Sequence, residues 1–179
     1  MGSTTGRILV DDARQVRRAR YPVWVFFVIP LTALLIQIYL PLFQTLRFVA
    51  KIDLPLLVTI YFALMRRSQI RGLTIGLVLG VAQDSFSAFY IGMYGLCKTM
   101  VGYFSASIGM QFDVEHPFVR VLLCLVFYIF HQFLYWVLQR AVLDQPVTFD
   151  VPGEAILAML HAVIGVALFH FLDKLRVKE

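Results

Sequence analysis

The stretch GLTIGLVLGVAQDSFSAFYIGMYGLCKTMVGYFSAS, residues 72–107, decides the fold of this chain. As one helix, the apolar block 72–110 would be about 58 Å long, nearly twice the hydrocarbon core of a bilayer at about 30 Å. We therefore expect two helices, 72–84 (or as far as 87) and 91–108, separated by a break at 85–92. The block is predicted to form an antiparallel hairpin inside a membrane.

Four further apolar stretches flank this hairpin, at 23–46, 52–65, 118–138 and 155–172. The second is short for a span, but its flanking residues and snorkelling basic side chains can extend it. The predicted fold class is all-α, a polytopic membrane protein with six transmembrane helices. The predicted layout is a cytoplasmic basic N-terminal segment (1–22), a six-helix transmembrane domain (23–173) and a cytoplasmic basic tail (174–179).

The composition supports a membrane protein and argues against a soluble enzyme. Of 179 residues, 60% are apolar or aromatic and 15% are charged, and the mean hydropathy is +0.78. Soluble domains carry about 25% charged residues. A domain of this size would still expose about a third of its unfolded-chain surface to water. Lipid can solvate that surface.

The basic residues predict the orientation. Six spans with both termini in the cytoplasm place 12 of the 16 Lys and Arg residues on the inside. Five spans would put the C-terminal basic cluster on the side opposite the N-terminal one, against the positive-inside rule. These residues form short clusters between apolar runs, a layout that does not suit nucleic-acid binding. The basic segment 7–20 is predicted either to lie on the inner leaflet as an amphipathic helix or to act as an orienting tail.

Asp84 is the sharpest individual signal, because a carboxylate among apolar residues at membrane depth is costly. Gly76 and Gly80 precede it at spacings of four, so the three residues share one helix stripe. We predict that Lys98, two turns into the next helix, pairs with Asp84 across the hairpin. Two alternatives stay open: Asp84 ends its helix near the outer interface, or Lys98 faces an aqueous cavity and holds an anionic ligand.

The fourth span carries a seam of small residues, predicted to allow close packing within the bundle. The seam is formed by Gly95, Thr99, Gly102, Ala106 and Gly109. The histidines lack metal-site spacing, and no phosphate loop, dinucleotide fingerprint or nucleophile elbow occurs. We therefore expect no catalytic residue, no metal site and no cofactor, and the chain is predicted not to be an enzyme.

The run from Asp53 to Ser107 resembles the rod shape-determining protein MreD family of bacteria. The resemblance covers an acidic and apolar second span, a basic turn, glycines leading to an intramembrane acid, and a Gly-rich fourth span ending in Gly-Tyr. Carried over by position, the family motif is Asp53, Gly72, Gly76, Gly80, Asp84, Gly92, Gly102 and Tyr103. The sequence departs from the family at the hairpin, where Phe86, Ala88, Phe89 and Tyr90 replace the usual Gly or Pro.

The resemblance implies a non-enzymatic scaffold of the cell-wall elongation complex in the bacterial inner membrane. Its expected partners are MreC and, through MreC, the peptidoglycan transpeptidase, the RodA-type polymerase and the actin-like MreB filament, besides membrane lipids, with a homo-oligomer as a further option. We expect the transmembrane helix of MreC to dock on an early helix face or at the hairpin, on aromatic residues Phe86, Phe89, Tyr90 and Tyr94.

The alternative function belongs to a different class. MreD-like proteins resemble the fold of the substrate-binding subunits of energy-coupling-factor vitamin transporters, which are also small six-helix proteins. Those subunits dock their partner through an alanine-spaced motif on the first span. The predicted first span here contains only Ala33. The scaffold is therefore the preferred interpretation, and a vitamin or small-molecule transporter subunit is the alternative.

Overall fold

The computed structural model describes residues 21–43, 51–86, 92–112, 114, 116–144 and 146–175. These residues form six α-helices and one 3-10 turn, and no β-strand. The elements, in chain order, are α1 (Val25–Tyr39), the 3-10 turn (Leu40–Leu42), α2 (Leu54–Arg66), α3 (Gln69–Phe86), α4 (Met93–Gln111), α5 (Pro117–Ala141) and α6 (Val151–Asp173). The prediction of an all-α fold is confirmed.

Three of these helical segments are long and apolar enough to cross a membrane. They are Val25–Leu42, Pro117–Ala141 and Val151–Asp173, and much of their surface is exposed. Exposed apolar side chains on helices of this length require lipid as solvent. The chain is therefore a membrane-embedded protein.

Helix α2 lies at the centre of the bundle. It has only 13 residues, about 20 Å of rise, but every residue from 55 to 65 is buried. The other five helices all contact it. Because α2 meets protein on every side, its apolar side chains pack in the core instead of facing lipid.

Helices α3 and α4 pack backbone to backbone through the predicted glycine stripe. A Cβ on Gly72 would overlap the Gly102 carbonyl, one on Gly76 the Lys98 carbonyl, and one on Gly80 the backbone of Tyr94 and Gly95. No side chain fits between the helices at these positions. The close packing expected of the seam is confirmed, and it is intramolecular.

The observed helix ends differ from the predicted ones where capping residues decide them. Helix α6 begins at Val151, four residues before the predicted 155, because the Asp150 side chain accepts the Gly153 N–H and Pro152 suits the first turn. Helix α1 stops at Tyr39, well before the predicted 46, and Pro41 lies in the 3-10 turn that follows. Pro41 has no N–H to continue the helix. Residues 44–50 lie outside the described part.

A network of polar side chains ties together one end of the bundle. Arg120, in the first turn of α5, donates to Asp173 at the end of α6 over 2.5 Å. Tyr61 of α2 donates to the other Asp173 oxygen over 2.7 Å, and its hydroxyl lies 2.7 Å from that of Tyr21. Arg66 stacks on the Phe26 ring at 3.9 Å. The basic residues are thus concentrated where α1 and α5 begin and α2 and α6 end.

Candidate functional site

The opposite end of the bundle holds the predicted acidic residues, beginning with Asp84. This carboxylate is 1% exposed and accepts three backbone N–H groups at the start of α4. Gly92 and Gly95 donate to Oδ2 over 3.0 and 2.8 Å, and Tyr94 donates to Oδ1 over 3.1 Å. The first N–H groups of a helix have no partner within it, so Asp84 of α3 satisfies those of α4.

Gly92 makes this contact possible. It has φ of +103°, a conformation that residues with a side chain rarely adopt, and it directly precedes α4. The turn at Gly92 directs its own N–H and those of Tyr94 and Gly95 toward the Asp84 carboxylate. This conformation favours glycine at position 92 of this chain.

The predicted pairing of Lys98 with Asp84 is wrong. Lys98 Nζ lies 2.7 Å from Asp53 Oδ1 and also donates to Gln83 Oε1. Lys98 Nζ also lies over the Tyr94 ring, 5.4 Å from the ring centre. Asp84 is occupied by backbone donors, whereas Asp53, at the start of the central helix, lies within reach of the Lys98 ammonium. The lysine side chain is fully buried, so it needs these partners.

Asp53 and the next residue, Leu54, link three helices, besides the contact of Asp53 with Lys98. Its Oδ1 accepts the Leu56 N–H over 3.0 Å and so caps α2. Its own N–H donates to His161 Nε2 of α6 over 2.9 Å, and the next N–H, of Leu54, donates to Gln37 Oε1 of α1 over 3.1 Å. Because Nε2 accepts, His161 Nδ1 carries the proton and donates to the Leu157 carbonyl at 2.8 Å.

A cavity of about 280 Å³ lies next to the Asp53–Lys98 pair. All but one of its lining side chains are polar, and they come from five of the six helices and the segment before α2. They are Gln37, Lys51, Asp53, Gln83, Tyr94, Tyr128, His131, Gln132 and Glu154, with Leu157 as the apolar member. A second cavity of about 130 Å³, between α1, α2 and α6, has an almost entirely apolar lining.

Two cavity residues of α5 and α6 were not identified from the sequence as site residues. His131 is 2% exposed, and neither ring nitrogen has a hydrogen-bond partner among the described residues. Glu154 accepts the Tyr128 hydroxyl over 2.8 Å and the Gln132 amide over 3.0 Å. Each Glu154 oxygen thus has a neutral donor, and no salt bridge to Glu154 occurs in the described part of the chain.

The predicted partner-binding aromatics have different environments. Phe86, at the end of α3, is 66% exposed. Tyr94 is half-buried, stacks on Tyr135 at 4.9 Å and lines the polar cavity. Phe89 and Tyr90 lie outside the described residues. Tyr103, the last motif residue, is partly exposed on α4 beside Phe104.

Asp53 and Asp150 each lie in a sequence pattern that signals the start of a helix. Asp53-Leu54-Pro55 and Asp150-Val151-Pro152 repeat the pattern Asp-x-Pro, and each aspartate is the N-cap of the helix that follows. An acceptor at the cap and proline in the first turn are a known helix start signal. The cavity residues of α5 and α6 carry no comparable local signal.

The residues that the structure describes contain no group of three or more His, Cys, Asp or Glu side chains suited to a metal ion. No family model matches the sequence, and neither curated proteins nor solved structures give a match. The site therefore has to be interpreted from its own geometry.

Proposed function

We propose that this chain is a non-enzymatic integral membrane scaffold of the bacterial cell-wall elongation complex, similar to the MreD family, that binds MreC. The observation that carries the proposal is the use of the motif residues. Asp53 and Asp84 cap helices, Lys98 neutralises Asp53, and the glycines bring α3 and α4 together. Motif residues that hold helices in place suit a protein that presents a fixed surface to its partners.

The proposal includes six spans in the inner membrane, with both termini in the cytoplasm. Its support is the separation of charge along the bundle. Four arginines lie at the end of the bundle where α1 starts: Arg66 and Arg67 at the end of α2, Arg71 near the start of α3 and Arg120 near the start of α5. The positive-inside rule assigns that end to the cytoplasm. Helices α3 and α4, with 18 and 19 residues, are about 27 to 28 Å long, close to one bilayer core.

In this arrangement the polar cavity and Phe86 lie toward the periplasm. We propose that the transmembrane helix of MreC packs over the exposed end of α3 at Phe86. The glycine stripe is not available to it, because α4 already occupies that face. The transpeptidase, the RodA-type polymerase and MreB would then be linked through MreC.

Co-purification with MreC from the same organism tests the scaffold proposal. We expect a stable complex with the wild-type chain and a loss of roughly five- to tenfold in complex yield for Phe86→Ala, as the deletion of one packed aromatic side chain implies. Val163→Ala, at a 69% exposed position of α6, is the matched control and is expected to have no effect.

The outcomes separate the site from the function. If wild-type protein does not bind MreC, the scaffold proposal is wrong. If Phe86→Ala binds normally but Leu31→Ala on the exposed face of α1 does not, the docking site is on α1 instead. Asp84→Ala and Gly80→Leu are unsuitable probes, because both residues hold α3 against α4.

The second candidate is the substrate-binding subunit of a vitamin or small-molecule transporter, with the corresponding six-helix fold. The polar cavity favours it, because convergent polar groups at one cavity can orient a small ligand. Purification from native membranes, followed by identification of both bound proteins and bound small molecules, distinguishes the candidates. A stoichiometric vitamin without MreC would favour the transporter subunit.

A further inference from the structure

The polar cavity contains a histidine, His131, to which the scaffold function assigns no role. An imidazole carries one donor and one acceptor when neutral, and His131 has both nitrogens buried at the cavity wall without a partner in the described residues. A buried polar group left without a partner costs about 1–3 kcal/mol. A molecule in the cavity that bonds to His131 would remove this cost.

The size of the cavity sets the size of that molecule. A cavity of 150 Å³ accommodates benzene, so 280 Å³ has room for about 11 non-hydrogen atoms by proportion. Lys51 lines the cavity and is itself exposed, so the cavity reaches the protein surface beside it.

The charges of the lining set the chemical class. Asp53 and Lys98 neutralise each other. The two remaining charged residues are Glu154 and Lys51, one of each sign, and neither forms a salt bridge within the described part of the chain. Glu154 is also held in place by Tyr128 and Gln132, which do not neutralise it. A ligand that complements this lining carries an ammonium group, a carboxylate and no net charge.

We propose that the cavity binds a small zwitterion of the size of an amino acid or dipeptide. The ammonium group bonds to Glu154, the carboxylate to Lys51, and an amide or other polar group between them to His131. The aromatic rings of Tyr94 and Tyr128 form part of the wall and favour a cation nearby. This inference is independent of the proposed binding of MreC.

Matched probes test the class of ligand on the wild-type protein in detergent micelles. The probes are alanylalanine, lactoylalanine (a hydroxyl in place of the ammonium group) and the C-terminal amide of alanylalanine, each of about 11 non-hydrogen atoms. We expect saturable binding of alanylalanine by calorimetry and a rise in melting temperature. Each derivative lacks one charge and is expected to bind at least about tenfold more weakly, since a hydrogen bond to a charged group contributes about 1.5–3 kcal/mol.

Two substitutions assign the charges to residues. Glu154→Gln is expected to remove the preference for alanylalanine over lactoylalanine, and Lys51→Met the preference over the amide. His131→Leu fills the space around the imidazole and is expected to weaken all three probes together. Circular dichroism and the melting temperature without probe check that each variant folds.

The proposal fails if the three probes bind equally, if only the singly charged forms bind, or if none binds at millimolar concentration and the cavity therefore holds water only. The comparison of probes needs no variant, so a variant that does not fold leaves the test intact.

Discussion

The Asp53–Lys98 ion pair gives the most exacting test of the observed packing. Lys98 is fully buried and Asp53 nearly so, and their charged atoms lie 2.7 Å apart. At an effective dielectric constant of about 20, charges at that distance attract by about 6 kcal/mol, a gain largely offset by the loss of hydration. Removal of one partner leaves the other charge buried, which costs about 3–5 kcal/mol.

We expect Lys98→Met and Asp53→Asn each to lower the free energy of unfolding by about 3 kcal/mol. Asparagine keeps an acceptor for the Leu56 N–H, so Asp53→Asn removes the charge and retains the helix cap. The double variant buries neither charge. Its loss is expected to stay near that of a single variant, which corresponds to a coupling of about 2–3 kcal/mol.

The assay is equilibrium unfolding by sodium dodecyl sulfate in mixed micelles at neutral pH, followed by circular dichroism, with refolding to confirm reversibility. The matched control cycle combines Lys98→Met with Asp84→Asn, because Asp84 is the acid that accepts backbone donors instead of the ammonium group. Its coupling is expected to stay below about 1 kcal/mol. Additive effects for Asp53, or a larger coupling for Asp84, would refute the observed pairing.

Two further predictions concern the packing of the bundle. Gly76→Ala places a methyl group against the Lys98 carbonyl and the Thr99 backbone, so we expect the free energy of unfolding to fall by at least about 2 kcal/mol. The control is Val78→Leu on the exposed face of α3, which should lower it by less than about 0.5 kcal/mol. Tyr61→Phe removes the hydroxyl that bonds to Asp173 and Tyr21, with an expected loss of about 1–2 kcal/mol. Tyr103→Phe on the exposed side of α4 should be neutral, and an equal loss in both tyrosine variants would contradict the role of the network.

Helix positions could be predicted from the sequence because apolar length and glycine spacing act locally. Helices α3 and α4 were found to within three residues, and their stripe of glycines does face the neighbouring helix. The start of α6 was missed because the sequence Asp150-Val151-Pro152 was interpreted as loop, although it is a helix start signal. Local sequence signals are thus sufficient to place these helices, and Asp150-Val151-Pro152 also marks the start of α6.

The pairing of charges could not be predicted in the same way. A hairpin brings Lys98 near Asp84, 14 positions away, so the sequence predicts this acid, the nearest one, as its partner. The true partner is 45 positions away, at the start of the central helix. The packing of α2 against α4 is a property of the whole bundle, and so is the cavity, whose His131 and Glu154 come from helices that the hairpin does not include.

The buried charges fix the register of these helices along the bundle axis, which apolar contacts in lipid do not. Two apolar helix faces can slide past each other by one turn at small cost, because lipid solvates whatever is uncovered. Asp84 ties the end of α3 to the start of α4, and Lys98 ties α4 to the start of α2 through Asp53. A shift of one turn, about 5.4 Å, would break both ties and leave charges buried without partners. The three polar residues therefore fix the register of three helices along the bundle axis, and that register sets the positions of Gln83 and Tyr94 at the cavity wall.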